Sequence, residues 1–172
     1  MKPAPNYVIP LAFSALAAFQ TGVDAAAYIK YDGIDGEVTE AKYRGAIELT
    51  AWGWQLSESA EPGVPIVRPI ELSKRADTTT PKFHEFLING VKAPTAFIAF
   101  TRTNGEVEFE YMKVEMTNVM VSSYSTSWSD STAELPFENI SLNFDSYCVT
   151  FSSIDPTTGE IITTGPACWK SQ

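Results

Sequence analysis

The sequence predicts a mainly β protein, a β-barrel or two-sheet sandwich with one short α-helix at its flank. Apolar residues alternate with polar ones over many short segments, and turn residues separate these segments, which is typical of sandwiches and barrels. A single segment has helical spacing together with signals for both helix ends. The 172 residues, 44% of them hydrophobic, suffice for one domain with its own core.

Strand signals run along most of the chain. The alternation changes phase from Ala51 to Trp52 and again from Tyr111 to Met112. Because side chains on a strand alternate with a period of two, each change predicts a bulge or a bend. The dipeptide Asn104-Gly105 predicts a tight hairpin. We expect strands at residues 26–31, 47–56, 67–74, 95–102, 106–116, 119–124, 140–144, 147–151 and 161–163.

One helix is predicted between two well-marked ends. Thr80 is the favoured N-cap, and Pro81 then occupies the first helical position, where its missing N–H costs nothing. An apolar face follows at helical spacing, and Gly90 ends the helix. The helix is short, so we expect it to depend on packing against the sheet. Its apolar face consists of Phe83, Phe86 and Leu87.

Three stretches lack a regular pattern. Residues Ser57–Pro69 are polar and contain several prolines, which predicts a long loop, and the Ser-rich residues 125–132 predict a flexible connection. Nothing beyond Gly165 indicates structure. The sequence therefore predicts a leader at residues 1–22, a single domain at residues 26–165 and a tail at residues 166–172.

The leader has two interpretations. Lys2 precedes an apolar run from Tyr7 to Phe19, which is too short to span a bilayer but fits the template of a secretory signal peptide. Small residues near Ala25 would serve for cleavage. The alternative is a misassigned start codon, with translation beginning at Val23.

The charge balance excludes two classes of partner. Lys and Arg together number 12 against 21 Asp and Glu, for a net charge of −9. A surface this acidic repels phosphate backbones and anionic lipids. We therefore expect neither nucleic-acid binding nor membrane anchoring.

The sequence offers little that could carry catalysis. His84 is the only histidine, no G-x-S-x-G motif provides a nucleophile, and a partly exposed helical residue is the favoured interpretation. Glu106, Glu108 and Glu110 share one strand face, which we interpret as solvated. No glycine-rich phosphate loop or metal-ligand spacing occurs. We expect no catalytic, cofactor-binding or metal-binding residues.

Two further pairs have alternative interpretations. Trp52 and Trp54 share a strand face and could stack on a sugar, although buried packing is favoured. Cys148 and Cys168 would form a disulfide in an oxidising compartment and pin the tail. In the cytosol they would stay reduced, with Cys148 in the core and Cys168 as a tail thiol.

Six segments, taken in chain order between about Ala26 and Glu160, are similar to one known family. They are residues 27–37, 47–54, 72–90, 119–124, 136–144 and 155–159, including Tyr28-Ile29-Lys30 and Thr80-Pro81-Lys82-Phe83. Each motif is weak alone, but the ordered set resembles the tube protein of type VI secretion, haemolysin-coregulated protein (Hcp). Two features depart from that family, namely the apolar leader and the extension beyond Glu160.

The resemblance implies a β-barrel of two sheets with one helix, assembled into hexameric rings. The rings would stack into a hollow tube that forms in the cytoplasm inside a contractile sheath, is tipped by a spike protein, and leaves the cell, carrying effectors. It implies no cofactor and no catalytic residue. The loop that reaches a neighbouring subunit would correspond to Ser57–Pro69, with Ser57, Glu58, Glu61, Val64 and Ile66 as contact residues.

Two rival hypotheses remain. A true signal peptide would place the protein in the periplasm or outside the cell as a β-sandwich binding module that keeps the fold without forming a tube. A secreted hydrolase would need a carboxylate pair in a cleft.

Overall fold

The computed structural model describes residues 25–60, 64–104, 107–129 and 135–171, so the predicted leader lies outside the described residues. The mainly β prediction with one short helix is confirmed. The strands are β1 Ala25–Tyr31, β2 Ile47–Glu48, β3 Ala51–Gly53, β4 Leu56–Glu58, β5 Pro65–Val67, β6 Ile70–Arg75, β7 Lys92–Asn104, β8 Val107–Ser127, β9 Phe137–Asn143, β10 Ser146–Ile154 and β11 Ile161–Lys170. The helix α1 spans Thr80–Asn89.

Strand β8, with 21 residues, is the central and longest strand of the main sheet. The strands follow the order β2-β1-β7-β8-β9-β6-β3, and β10 pairs with both β8 and β11. Along one edge β8 pairs with β7. Along the other edge β9 covers residues 120–127 of β8, and β10 covers residues 112–117. All of these pairs are antiparallel, so β8 ties most of the molecule together.

The two ends of the main sheet lie on one short chain segment. Strand β2 pairs with β1, whereas β3 pairs with β6 at the opposite end of the sheet. The switch occurs at Leu49, whose N–H bonds to the carbonyl of Ala27, and at Thr50, whose N–H bonds to the carbonyl of Ser73. The sheet therefore curls around a shared interior without a continuous closed ladder. The bend predicted between Ala51 and Trp52 therefore exists, but it lies about two residues earlier, at Leu49 and Thr50.

The second predicted phase change is also confirmed. Phe100 pairs with Met112 and Thr101 pairs with Glu110, so Tyr111 is an extra residue on β8. The bulge turns the following residues, and Val114 and Met116 reach the core. The predicted hairpin is present, because Asn104 pairs with Val107. Its tip residues, Gly105 and Glu106, lie outside the described residues.

Helix α1 packs on the sheet through Phe83 and Phe86, which are buried. Both rings contact that of Tyr31 at 5.9 Å between ring centroids. The helix ends as predicted, with Gly90 in the left-handed region at φ 60°. The N-cap prediction is wrong by one residue, since Thr79 is the cap and Thr80 is already helical. The hydroxyl of Thr80 donates to Glu138 instead.

Two stretches predicted as irregular contain strands. Residues 57–69 include parts of a two-stranded hairpin, because β4 pairs with β5. Strand β11 continues past the predicted end at Thr163 to Lys170. The dipeptide Gly165-Pro166 lies where the register with β10 shifts between Val149 and Phe151. Proline is tolerated at such an irregularity on an edge strand.

The Ser-rich connection is shorter than predicted. Ser125, Thr126 and Ser127 pair with β9, so the flexible-loop prediction is wrong for these three residues. The rest of the predicted connection up to Thr132 lies partly outside the described residues. In the part of the chain that the structure describes, no helix has the length and apolar character needed to cross a membrane.

The core predicts a measurable pH effect at Tyr31. This buried side chain donates to the carbonyl of Val119 at 2.9 Å, and burial raises its pKa from 10 to about 12. The folded protein favours the neutral phenol, so its contribution to stability is present below pH 10 and is lost as the pH rises towards 12. We expect Tyr31→Phe to cost about 1 kcal/mol at neutral pH. The variant should also lose less stability than the wild type between pH 10 and 12.

Urea unfolding at several pH values measures both effects. If the free energy of unfolding fell equally with pH above 10 in Tyr31→Phe and in the wild type, the raised pKa of Tyr31 would not be the cause of the loss.

Candidate interaction surface

A two-stranded arm projects beside the main sheet. It consists of β4 and β5, which pair with each other as a separate sheet in the registers Leu56 with Val67, Ser57 with Ile66 and Glu58 with Pro65. An isolated two-stranded hairpin is only marginally stable in water. The arm nevertheless exposes large apolar side chains. The exposed fractions are 51% for Leu56, 48% for Val64 and 38% for Ile66.

The arm contains most of the residues that the sequence resemblance assigned to subunit contacts. Ser57 and Glu58 lie on β4, Ile66 lies on β5, and Val64 immediately precedes β5. Glu61 lies outside the described residues. Ser57 and Ile66 are directly opposite and share one face. The structure thus brings these four residues together on one exposed element.

The base of the arm is closed by Trp54. Its indole Nε1 donates to the carbonyl of Arg68 at 3.0 Å, and the N–H of Arg68 donates to the carbonyl of Gln55 at 3.1 Å. The indole also packs edge-on against Tyr147 of β10, with 4.5 Å between ring centroids, and more distantly against Phe144. Trp54 therefore anchors the arm to the main sheet.

Strand β11 lies beside this anchor. Trp169 pairs with Tyr147 in the ladder, and their rings stack at 5.7 Å. The next pair is Cys148 with Cys168, whose Cα atoms are 4.1 Å apart and whose sulfur atoms form a disulfide in the structure. Trp54, Tyr147 and Trp169 thus form one aromatic cluster at the base of the arm. The disulfide joins the same two strands on the opposite face of the sheet, because neighbouring residues of a strand point to opposite faces.

Strand β11 is an exposed edge. Among the described residues it pairs with β10 only. Ile161 and Ile162 are 56% and 49% exposed, and Phe151 on β10 is 48% exposed. Lys170 is the only charged residue in this strand. An edge with little charge is open to pairing with another chain.

The two tryptophans have different environments. The buried-packing interpretation is wrong for Trp52, which is 36% exposed, although its ring contacts Phe100 at 4.6 Å. Trp54 is half-buried and serves the arm, as described above. Neither residue belongs to the fully buried core.

The acidic strand face is partly engaged. Glu108 is exposed, whereas Glu110 is half-buried and accepts a hydrogen bond from the hydroxyl of Tyr43 at 3.0 Å. The third member of the row, Glu106, lies outside the described residues. Desolvation, and then the nearby charge of Glu108, raise the pKa of Glu40. The tyrosine beside it, Tyr28, also has a raised pKa, through burial first and then through these carboxylates.

The remaining candidates for chemistry are dispersed. His84 is exposed on α1 and packs edge-on against Tyr124, with 4.2 Å between ring centroids. Within residues 25–60, 64–104, 107–129 and 135–171, no three His, Cys, Asp or Glu side chains are placed to hold a metal ion.

A buried ion network was missed by the sequence analysis. The Nζ atom of Lys74 lies 2.7 Å from both Asp77 and Glu138, and Lys74 and Glu138 are almost fully buried. Nζ also donates to the carbonyl of Arg75. Burial, then a hydrogen bond to Glu138, raise the pKa of neighbouring Tyr124 to about 12. The network joins β6 and β9 to the start of the helix.

A signal for this network is present in the sequence. Lys74 follows Ile70 and Leu72 in the inward phase of β6, and Glu138 precedes Ile140 and Leu142 in the inward phase of β9. Opposite charges at two inward positions indicate an ion pair once the strands are known to be neighbours.

Comparisons with known proteins agree with one another. The family model described as "Type VI secretion system effector, Hcp" matches residues 28–151. The protein hcp1 of Pseudomonas aeruginosa is 29% identical over 125 residues, which cover 68% of this chain and 76% of that protein. The family match ends within β10, so Cys148 lies inside it, whereas all of β11, including Cys168, lies beyond it.

Solved structures resemble the fold. One, described as a type six secretion system protein, has a TM-score of 0.76 at 24% identity and covers 86% of this chain and 96% of its own. Hcp1 from Salmonella typhimurium has a TM-score of 0.70 at 24% identity and covers 85% and 94%.

Proposed function

This chain belongs to the Hcp family of type VI secretion system proteins, and from this premise we propose that it is a structural subunit which forms hexameric rings. The rings stack into a hollow tube. The partners of the tube are the contractile sheath, the spike protein and the effectors that it carries. The protein leaves the cytoplasm through the type VI system and acts through its surfaces, not through catalysis.

The observation that carries this proposal is the arm. Leu56, Val64 and Ile66 are exposed on a hairpin that is marginal by itself. Contact with another subunit would bury these side chains and stabilise the hairpin at the same time. An arm on one subunit that fits a different surface on the next gives a head-to-tail contact, and such contacts close into rings when the rotation permits.

The charge of the chain suits this role. The net charge of −9 keeps single subunits soluble by mutual repulsion, although apolar side chains are exposed on the arm and on β11. Because this repulsion is screened by salt, we expect assembly to be favoured at moderate ionic strength.

Mass spectrometry tests the proposal. We expect a hexamer under non-denaturing conditions at micromolar concentration, and stacked rings by electron microscopy at higher concentration. The denatured mass of the same sample locates the N-terminus and reports a disulfide by the loss of two hydrogen atoms. A protein that stays monomeric at all concentrations would contradict the proposal.

The cysteine pair favours a second candidate. Cys148 and Cys168 face each other on adjacent strands, and disulfides persist mainly in oxidising compartments. The protein would then be a periplasmic or secreted β-sandwich binding module. A chain cleaved near Ala25, bridged and monomeric, would favour this candidate over the tube.

A further inference from the structure

We propose that the bond between Cys148 and Cys168 is a redox lock on the arm, which forms when the subunit reaches an oxidising environment and stabilises assembled rings against dissociation on dilution. The inference rests on the proposed function, because it regulates the same self-association surface. It assigns a role to the β10–β11 hairpin, most of which lies outside the family match.

The first element of the proposed lock is the short strand pairing that holds the C-terminal end of β11 against β10. After the register shift, residues 146–149 of β10 pair with residues 170–167 of β11. The disulfide joins Cys148 and Cys168 within these four pairs. Strand β11 is exposed along its length, and β10 is its only partner among the described residues. Besides the covalent bond, this end of β11 is held by the four ladder pairs, by the stacking of Trp169 on Tyr147 and by the hydrogen bond from the N–H of Ser171 to the carbonyl of Asp145. Because the segment is short and lies on an edge strand, we expect it to fray when the disulfide is reduced.

Packed aromatic rings connect the end of β11 to the base of the arm. Trp169, adjacent to Cys168, stacks on Tyr147 at 5.7 Å, and Tyr147 in turn supports Trp54 at 4.5 Å. Trp54 closes the base of the arm by its hydrogen bond to the carbonyl of Arg68. Fraying of β11 removes Trp169 from one face of Tyr147, so the support of Trp54 weakens. The position of the arm therefore depends on the disulfide.

The cysteine pair is accessible to thiol chemistry. Cys168 is exposed and Cys148 is half-buried, on the strand face that places Cys148 opposite Glu115 of β8. A dithiol reductant transfers two electrons and two protons to the disulfide, which gives two cysteine thiols and the oxidised reductant. In a reducing cytosol the subunit would assemble with a looser arm. After export, dissolved molecular oxygen would take two electrons and two protons from the two thiols, which gives the disulfide and hydrogen peroxide, and the new bond would fix the arm in the assembled ring.

Dilution of preformed rings tests the lock. We expect the concentration at which half of the rings dissociate to rise about tenfold when the oxidised wild type is treated with dithiothreitol, a coupling of the size found between contacting groups. The double variant Cys148→Ser/Cys168→Ser should match the reduced wild type and should not respond to the reductant. Because reduction needs no mutation, the comparison does not depend on how well the variant folds.

A second variant tests the route through the rings. Trp169→Ala leaves the disulfide in place but removes the ring that supports Tyr147. We expect the oxidised variant to dissociate at the concentration seen for the reduced wild type, with little further response to dithiothreitol. Circular dichroism of the variant should match that of the wild type.

The outcomes separate the two proposals. A protein that is monomeric in both redox states contradicts the proposed function. Rings that form, but dissociate at the same concentration in both states, leave the proposed function intact and overturn the lock. A denatured mass that shows free thiols after exposure to air also overturns it.

Discussion

Replacing Lys74 with methionine is expected to lower the free energy of unfolding by about 3–5 kcal/mol, the usual cost of breaking a buried ion pair from one side. The substitution leaves Glu138, which is 1% exposed, and Asp77 without their cation. Glu138 keeps the hydrogen bond from Thr80, but its oxygen that faces Lys74 has no hydrogen-bond partner among the described residues, so no other cation in this network replaces Lys74. Denaturant unfolding measures the loss.

The chain provides a matched control on its surface. Lys82 and Glu85 are also 2.7 Å apart, but both side chains are about half exposed. We expect Lys82→Met to change stability by less than about 1 kcal/mol. The double variant Lys74→Met/Glu138→Leu should recover much of the stability lost in Lys74→Met, because apolar residues can replace a buried pair. Equal losses in the two lysine variants would contradict the buried-network interpretation.

Replacing Ile66 with glutamate is expected to have the largest effect on assembly. Ile66 is 38% exposed on the arm, and subunit contact would bury it further. Loss of its apolar contact and the burial of a charge should raise the concentration needed for rings by roughly tenfold to a hundredfold. Sedimentation or native mass spectrometry across a dilution series gives this concentration. The subunit itself should stay folded, since the arm is a separate two-stranded sheet.

Ile88 supplies the control for this experiment. It is 79% exposed on α1, away from the arm, and Ile88→Glu makes the same chemical change. We expect this variant to assemble like the wild type. Rings that survive Ile66→Glu, or that are lost equally in both variants, would show that the arm is not the specific contact.

The strands and the helix that were predicted well from the sequence are those with one buried face and one exposed face. The phase change at Tyr111 is readable because the flanking residues Phe109 and Val114 must both reach the core. The helix is readable because its apolar face and its glycine end are local signals. The bend at Leu49 was placed two residues too late, because its position depends on hydrogen bonds to distant strands.

The elements that were predicted poorly do not have one buried face and one exposed face that a local sequence pattern would reveal. Strand β11 is exposed on both faces, so its sequence shows no alternation of apolar and polar side chains that would predict a strand to Lys170. The arm is short, exposed and rich in proline, so only its contact role was inferred, and that came from the family resemblance. The network of Lys74 and Glu138 could be found only by knowing that β6 and β9 are neighbours.

The central position of β8 has a consequence for how fast subunits become available. Strands β7 and β8 form a local hairpin that can pair early. Strand β6, however, pairs with β9 on the far side of that hairpin in the sequence, and the paired residues of β1 and β7 are 65 to 77 positions apart. Non-local pairings of this kind fold slowly. Each new chain therefore spends time with open strand edges before its core closes. On the proposed function, this search would limit the supply of subunits for ring assembly, and early exposure of the edges would favour aggregation over assembly when synthesis is fast.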